Sequence, residues 1–239
     1  PQTRTPSPGS LTPATMILDG TFCVYQGSRL GQKCFRNFGG AGGSGNHTMR
    51  WGLEQSRNLM TVRTASQTGM DRVVRTIKAM NIGAYQPYLA YALGAGETTV
   101  EKMVNAYAAL ANHGRLNAPR VIDYAQDRHG KVIWPDKWRP CDGCNAPDWN
   151  GKPMPRFGRS GKQAMNPMTA YQIVHITEGV IQRGTATVLS DLGRPLFGKT
   201  GTTNGPTNVW FVGGSPDLVA GVYLGYDTPR SLGGYAQGG

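Results

Sequence analysis

Two short stretches hold residue types from which a reaction could be built. One is Lys199-Thr200-Gly201-Thr202, at the start of an apolar run that carries Trp210 and Phe211. A lysine withdrawn from water is costly unless something pairs with it, so this stretch raises the question of what lies opposite Lys199. The other is Ser56-Arg57-Asn58, within "EQSRNLM". Residues two apart on a continuous helix do not share a face. Ser56 and Asn58 can therefore look into one site only if the helix breaks between them; otherwise each serves as a helix cap, a job both residue types favour.

The elements that must carry these stretches follow from the surrounding pattern. "ATMILDG" and "TFCVY" read as short strands, and "GGAGGSGN" (39–46) as a glycine loop. Thr48 suits the N-cap of a helix over "MRWGLEQ", a second helix covers "LMTVRTASQTG", and Met70 to Met80 reads as a third with Val73, Val74 and Ile77 inward. "TTVEKMVNAYAALANHG" reads as a helix capped by Thr99, with an apolar stripe of Val100, Met103, Val104, Tyr107 and Leu110 and a stop at Gly114. Residues 119–134 suggest a hairpin turning at "RHGK", and 135–166 a long polar loop. The longest helix opens at Pro167 and carries His175, Glu178 and Arg183, the last two read as local helix pairs. Three strands end the chain: "LFGKTGT", "NVWFVGGS" and "LVAGVYLGYD". Helices followed by an antiparallel strand run predict an α+β fold, an antiparallel sheet flanked by helices. Trp210 and Phe211 read as strand core, and Asp227 as the start of a turn.

Composition narrows the function classes. The 239 residues are 38% hydrophobic and 16% charged, which suffices for a packed core. The net charge of +11 suits an anionic partner, or is simply a soluble basic surface. The basic residues are scattered and no nucleic-acid module is present, so no nucleic-acid partner is expected. No apolar run is long enough to span a membrane. No cofactor motif stands out, and none is expected.

The four cysteines fall into two local pairs, Cys23 with Cys34 and Cys141 with Cys144. Two disulfides in an oxidising compartment fit this spacing better than a four-cysteine zinc site, because the gap in the first pair is long for a zinc knuckle. A redox function for Cys141-x-x-Cys144 is a third reading, opposed by the flanking Pro140 and Pro147.

Taken together, Ser56-x-Asn58 and Lys199-Thr200-Gly201 resemble the motifs of the penicillin-binding transpeptidase family. Longer stretches carry the likeness further: "GLEQSRNLMTVRTASQTGMDRVVRTIKAMNIG", "NAYAALANHGRLNAPRVI", "GVIQRGTATVL" and "GKTGTTNGPTNVWFVGGSPDLVAGVYLGYDTPRSLG". They look like the transpeptidase domain of the class A, bifunctional members, and the likeness covers nearly the whole chain. One departure stands out. No serine of this chain has a lysine three positions on, so the Ser-x-x-Lys nucleophile motif is absent.

The resemblance implies a β-lactamase/DD-transpeptidase-like fold, with residues 1–239 forming part of a transpeptidase domain. It places the nucleophile segment just before Pro1 and a final helix beyond Gly239. It implies D,D-transpeptidation of peptidoglycan stem peptides, with β-lactams as inhibitors. The parent protein would be anchored at the periplasmic face of the inner membrane and carry a glycosyltransferase domain. Ser56 would relay a proton, Asn58 would hold the substrate amide and help fix the lysine, and Lys199 would attract the substrate carboxylate. Thr200 and Thr202 would supply hydroxyls to that carboxylate. Gly201 would let a peptide lie against the strand, and the Thr202 N–H would form half of an oxyanion hole. The 239 residues alone would be inactive. Work outside the cytoplasmic membrane favours disulfides Cys23–Cys34 and Cys141–Cys144. Arg183-Gly184-Thr185 is given a structural role. The alternatives are a β-lactam sensor and a non-catalytic scaffold.

Overall fold

A computed structural model describes residues 11–25, 28–29, 31–122, 124–134, 151, 161–234 and 236–238. The chain forms two compact units, one of residues 1–116 with 163–239 and the other of residues 117–162.

In the larger unit, β1 (Met16–Asp19) pairs antiparallel with β4 (Gly45–Thr48), while β2 (Phe22–Tyr25) and β3 (Gln32–Phe35) form a hairpin between them. Cys23 and Cys34 are directly opposed in that hairpin and joined by a disulfide. Cys141 and Cys144 lie outside the described residues. With two of its four sulfurs oxidised, the four-cysteine zinc alternative loses half its ligands.

The helices start where side chains supply the missing acceptors. Thr48 Oγ1 accepts from the Trp51 N–H at the head of α1 (Met49–Glu54), and Thr99 Oγ1 from the Lys102 N–H at the head of α4 (Val100–Ala111). Asn166 Oδ1 does the same for Met168 in α5 (Pro167–Arg183), where Pro167 stands in the first turn with no N–H to satisfy. The helix α2 (Asn58–Thr68) buries Leu59, Met60, Val62 and Ala65, and Leu59 and Val62 pack on Phe35. In α3 (Met70–Ala79) no residue is fully buried; Val73, Val74 and Ile77 are half-covered. The expected stripe on α4 is likewise half-covered. Its most buried residues are Ala106 and Ala109, because small side chains let neighbouring elements approach the helix closely. Two short strands, β5 (Arg115–Leu116) and β8 (Lys162–Gln163), flank the smaller unit in sequence.

The last strands form a three-stranded antiparallel meander in the order β11 (Val219–Gly225), β10 (Asn208–Gly214), β9 (Phe197–Thr202). Helix α5 packs on β9, and α4 on β10 and β11. Val180, Ile181, Ala186 and Phe211 form one cluster of this core, and Phe197, Val209 and Val212 are also buried. Trp210 is half-covered and meets Tyr223 across the strands.

In the smaller unit, β6 (Ala125–Gln126) pairs with β7 (Val132–Trp134). The hairpin is shorter than the sequence suggests. Its turn is set by Asp127, whose carboxylate accepts from the His129 and Lys131 N–H groups, with Gly130 at φ +81°. Most of the expected loop at 135–166 lies outside the described residues.

Candidate active site

Strand β9 is an edge strand, so one of its sides has no strand partner among the described residues. The register pairs Lys199 with Val212, Thr200 with Phe211, Gly201 with Trp210 and Thr202 with Val209. In an antiparallel pair the inward hydrogen bonds fall on alternate residues. Thr203 donates to Asn208 in the ladder, whereas the Thr200 carbonyl accepts from Lys199 Nζ at 3.0 Å. By the same alternation the Thr202 N–H lies on the open edge.

Facing that edge is the break between α1 and α2. Helix α1 ends at Glu54, α2 begins at Asn58, and Ser56 between them has φ +53°. A left-handed serine turns the chain sharply enough that Ser56 and Asn58 line the same cavity, of about 280 Å³. Thr185, Thr200, Thr202 and Gln237 line it too. A larger cavity of about 530 Å³ shares Asn37, Phe38 and Asn58 with it and runs between Lys33–Gly40 and Asn204–Pro206. It reaches neither Ser56 nor Thr200.

Lys199 Nζ donates to Ser56 Oγ at 2.8 Å, which answers what lies opposite it. The partners are two hydroxyls, of Ser56 and (at 3.4 Å) of Thr200, and a carbonyl; among the described residues no carboxylate forms a salt bridge with Lys199. Burial therefore lowers its pKa from 10.5 to about 8, since nothing of opposite charge offsets the lost hydration. Thr200 Oγ1 shares a 2.6 Å hydrogen bond with Thr185 Oγ1, so the Arg183-Gly184-Thr185 segment reaches the cleft as well as serving the fold. Thr202 Oγ1 accepts from the Gly238 N–H at 3.1 Å. A Cβ at Gly201 would stand 3.3 Å from Trp210 Cβ, its cross-strand neighbour. Asn58 Nδ2 donates to the Arg36 carbonyl at 3.2 Å and forms no bond to Lys199.

Other residues named from the sequence lie elsewhere. His175 is half-exposed and pairs with Glu178 at 3.3 Å. Glu178 thus forms a local helix pair, with His175, whereas the same reading of Arg183 is corrected: Arg183 reaches Glu54 on α1 instead. Among the described residues no group of three His, Cys, Asp or Glu side chains could hold a metal. Nor, among them, is any helix long and apolar enough to cross a membrane.

Sequence reasoning missed the residues around the break. Asp19 is buried and accepts from Arg57 (Nε 2.9 Å, Nη2 2.7 Å), Asn37 (3.0 Å) and both the N–H and hydroxyl of Ser44 (3.0 and 2.8 Å). Burial alone would raise the carboxyl's pKa, but the bonds from Asn37, Arg57 and Ser44 and the Arg57 charge outweigh it and hold the pKa below 3.8. The oxygen of Asn37 accepts from the Leu59 N–H, capping α2 from a distant segment. One signal was available: an arginine set in a tight turn of a packed core needs an anion close by to offset its lost hydration.

The fold is thus α+β, a strand meander packed by helices, with a lysine–hydroxyl pair at its edge strand. The chain belongs to the penicillin binding protein transpeptidase domain family, which it matches over residues 18–234. Penicillin-binding protein 1A of Rickettsia prowazekii (strain Madrid E) is 38% identical over 234 residues, 95% of this chain and 29% of the relative. Penicillin-binding protein 1A of Neisseria meningitidis serogroup B is 36% identical over 200 residues, 82% of this chain and 23% of the relative. The crystal structure of penicillin-binding protein 1A from Haemophilus influenzae superposes with a TM-score of 0.79 at 25% identity, covering 95% of this chain and 37% of that one. The chain therefore spans less than a third of the length of these curated relatives.

Proposed function

We propose that the cleft between Ser56 and Lys199 is part of a serine-type D,D-transpeptidase centre that cross-links peptidoglycan stem peptides and is acylated by β-lactams. The observation that carries this is the 2.8 Å bond between Lys199 Nζ and Ser56 Oγ, at the open edge of a strand in a chain of this family. A peptide ending in D-Ala-D-Ala adds to β9 as an extra strand, with its carboxylate towards Lys199 and the Thr200 and Thr202 hydroxyls. A serine supplied by sequence outside these 239 residues attacks the penultimate D-Ala carbonyl. The oxyanion is held by the Thr202 N–H, an interaction of a kind worth about 3 kcal/mol in the transition state. The C–N bond breaks, and the terminal D-Ala leaves with a proton passed through Ser56. Asn58 holds the substrate amide. The amine of a second stem peptide then attacks the ester, and the serine regains its proton. On this reading the whole protein works at the periplasmic face of the inner membrane, anchored there and joined to a glycosyltransferase domain.

The experiment is incubation with fluorescent penicillin, followed by denaturing electrophoresis and intact mass. The full-length protein is expected to gain one penicillin on a Ser-x-x-Lys serine, and the 239-residue chain none. An adduct on any serine of this chain would overturn the assignment, and an unlabelled full-length protein would overturn the activity.

A further inference from the structure

Ser56 is the one residue of its turn whose side chain points to Lys199, and its backbone occupies the left-handed region at φ +53°. For an L-residue with a Cβ that conformation costs roughly 1–2 kcal/mol, so the surroundings must impose it. Short backbone bonds help: Ser56 N–H donates to Leu53 and Arg57 N–H to Gly52. They close the end of α1 but do not fix where the turn stands relative to β9.

Long-range contacts do that, from both sides. Before Ser56, the buried Glu54 carboxylate takes two bonds from Arg183, from Nε at 3.0 Å and Nη2 at 2.6 Å, and Gln55 Nε2 donates to the Arg183 carbonyl at 2.9 Å. This approach needs glycines. A Cβ at Gly179 would collide with Glu54 Oε1, and one at Gly184 with the Glu54 carbonyl. After Ser56, Arg57 sends both Nε and Nη2 to the buried Asp19 and Nη2 also to the Gly42 carbonyl at 2.9 Å. The Arg183–Glu54 pair is bidentate, Nε on Oε2 and Nη2 on Oε1, and both Arg57 bonds converge on Asp19 Oδ2; two donors from one guanidinium fix direction as well as distance. Glu54, Gln55 and Arg57 are thereby fastened to α5, β1 and the loop before β4, leaving the Ser56 hydroxyl for Lys199.

We propose that Arg57 and Arg183 are positioning residues: paired with Asp19 and Glu54, they clamp the α1–α2 turn from either side and hold Ser56 Oγ against Lys199 Nζ. Neither guanidinium bonds to Ser56 or Lys199. The proposal rests on the transpeptidase reading for its catalytic consequence, but the clamp itself can be read without activity.

The test uses Arg57→Lys, and Arg183→Lys from the opposite side. Each keeps the positive charge beside its buried acid, so the fold is retained, but a lysine cannot reproduce the fork. In the 239-residue chain the Lys199 ε-methylene signal, identified by its loss in Lys199→Arg, is titrated by NMR. The wild-type midpoint is expected near 8; in either variant a loosened turn admits water and the midpoint moves up towards 10.5. In the full-length protein each variant is expected to acylate about 10²-fold more slowly, the scale of an ångström-sized misplacement. Reversible penicillin affinity is expected to stay at the wild-type value. An unchanged midpoint together with an unchanged acylation rate in the two variants would overturn the clamp. Absence of acylation in the wild type would instead overturn the transpeptidase reading, with the midpoint still reporting on the clamp.

Discussion

The two sides of the cleft are built on opposite principles. On the β9 side regular strand pairing sets the geometry: Lys199, Thr200 and Thr202 stand where the register with Val212, Phe211 and Val209 puts them. The Lys199 charge there has no counter-ion among the described residues, and burial acts against it. On the turn side the backbone is strained at Ser56, and each buried charge, Asp19 and Glu54, has a forked partner. Removing the strand-side charge should therefore cost function while helping stability. Removing a turn-side partner should cost both.

The largest effect expected is on chemistry. Lys199→Met and Ser56→Ala should each slow β-lactam acylation of the full-length protein by roughly 10²–10⁴, the scale of a lost proton-transfer group. Lys199→Met should at the same time raise stability at pH 7 by about 1–3 kcal/mol, because an uncompensated buried ammonium is removed. The sign is checkable by pH. The folded pKa of about 8 lies below the unfolded 10.5, so the unfolded chain binds more protons in between. Wild-type stability should rise from pH 8 to 10.5, and that rise should vanish in Lys199→Met. Urea titrations across this range decide it, and a less stable Lys199→Met would break the comparison.

Next in size is Arg57→Ala, which leaves the Asp19 carboxylate buried without its cation. A loss of about 3 kcal/mol is expected in urea unfolding. The folded pKa of Asp19 lies below its ordinary 3.8, so the stability it supplies is present above that value and lost as pH falls through the folded pKa. Wild-type stability should therefore fall off below about pH 4, and less steeply once Asp19 is replaced by Asn. Reducing Cys23–Cys34, which closes a loop at a separation of 11 residues, should cost about 2 kcal/mol, read as a lower melting temperature under reductant.

The smallest effect tests the strain directly. Ser56→Gly should be more stable than Ser56→Ala by about 1 kcal/mol, although glycine is ordinarily the costlier replacement. Equal stabilities would mean that the turn stores no strain.

Much of this was legible from residue order. Thr48 and Thr99 cap helices because a hydroxyl just before an apolar-periodic run meets N–H groups that have no other acceptor. The final strands declared themselves by alternation and turn residues, and Cys23 and Cys34 by facing positions in one hairpin. These are local effects, acting over a few residues, and so are written in the order of the chain. The resemblance carried by Ser56-x-Asn58 and Lys199-Thr200-Gly201 likewise needs only motif and spacing.

What tertiary structure decided has long reach. Arg57 meets Asp19 across 38 positions and Arg183 meets Glu54 across 129. The sequence suggests a partner for Arg183 within its own helix, and the packing of α5 against α1 chose the distant Glu54 instead. The bond from Lys199 to Ser56 spans 143 positions. No propensity or periodicity encodes such distances. They arise where close-packed elements bring buried groups within reach, and a buried polar group then takes whatever partner the fold supplies, because leaving it unpaired costs more than the bond itself is worth.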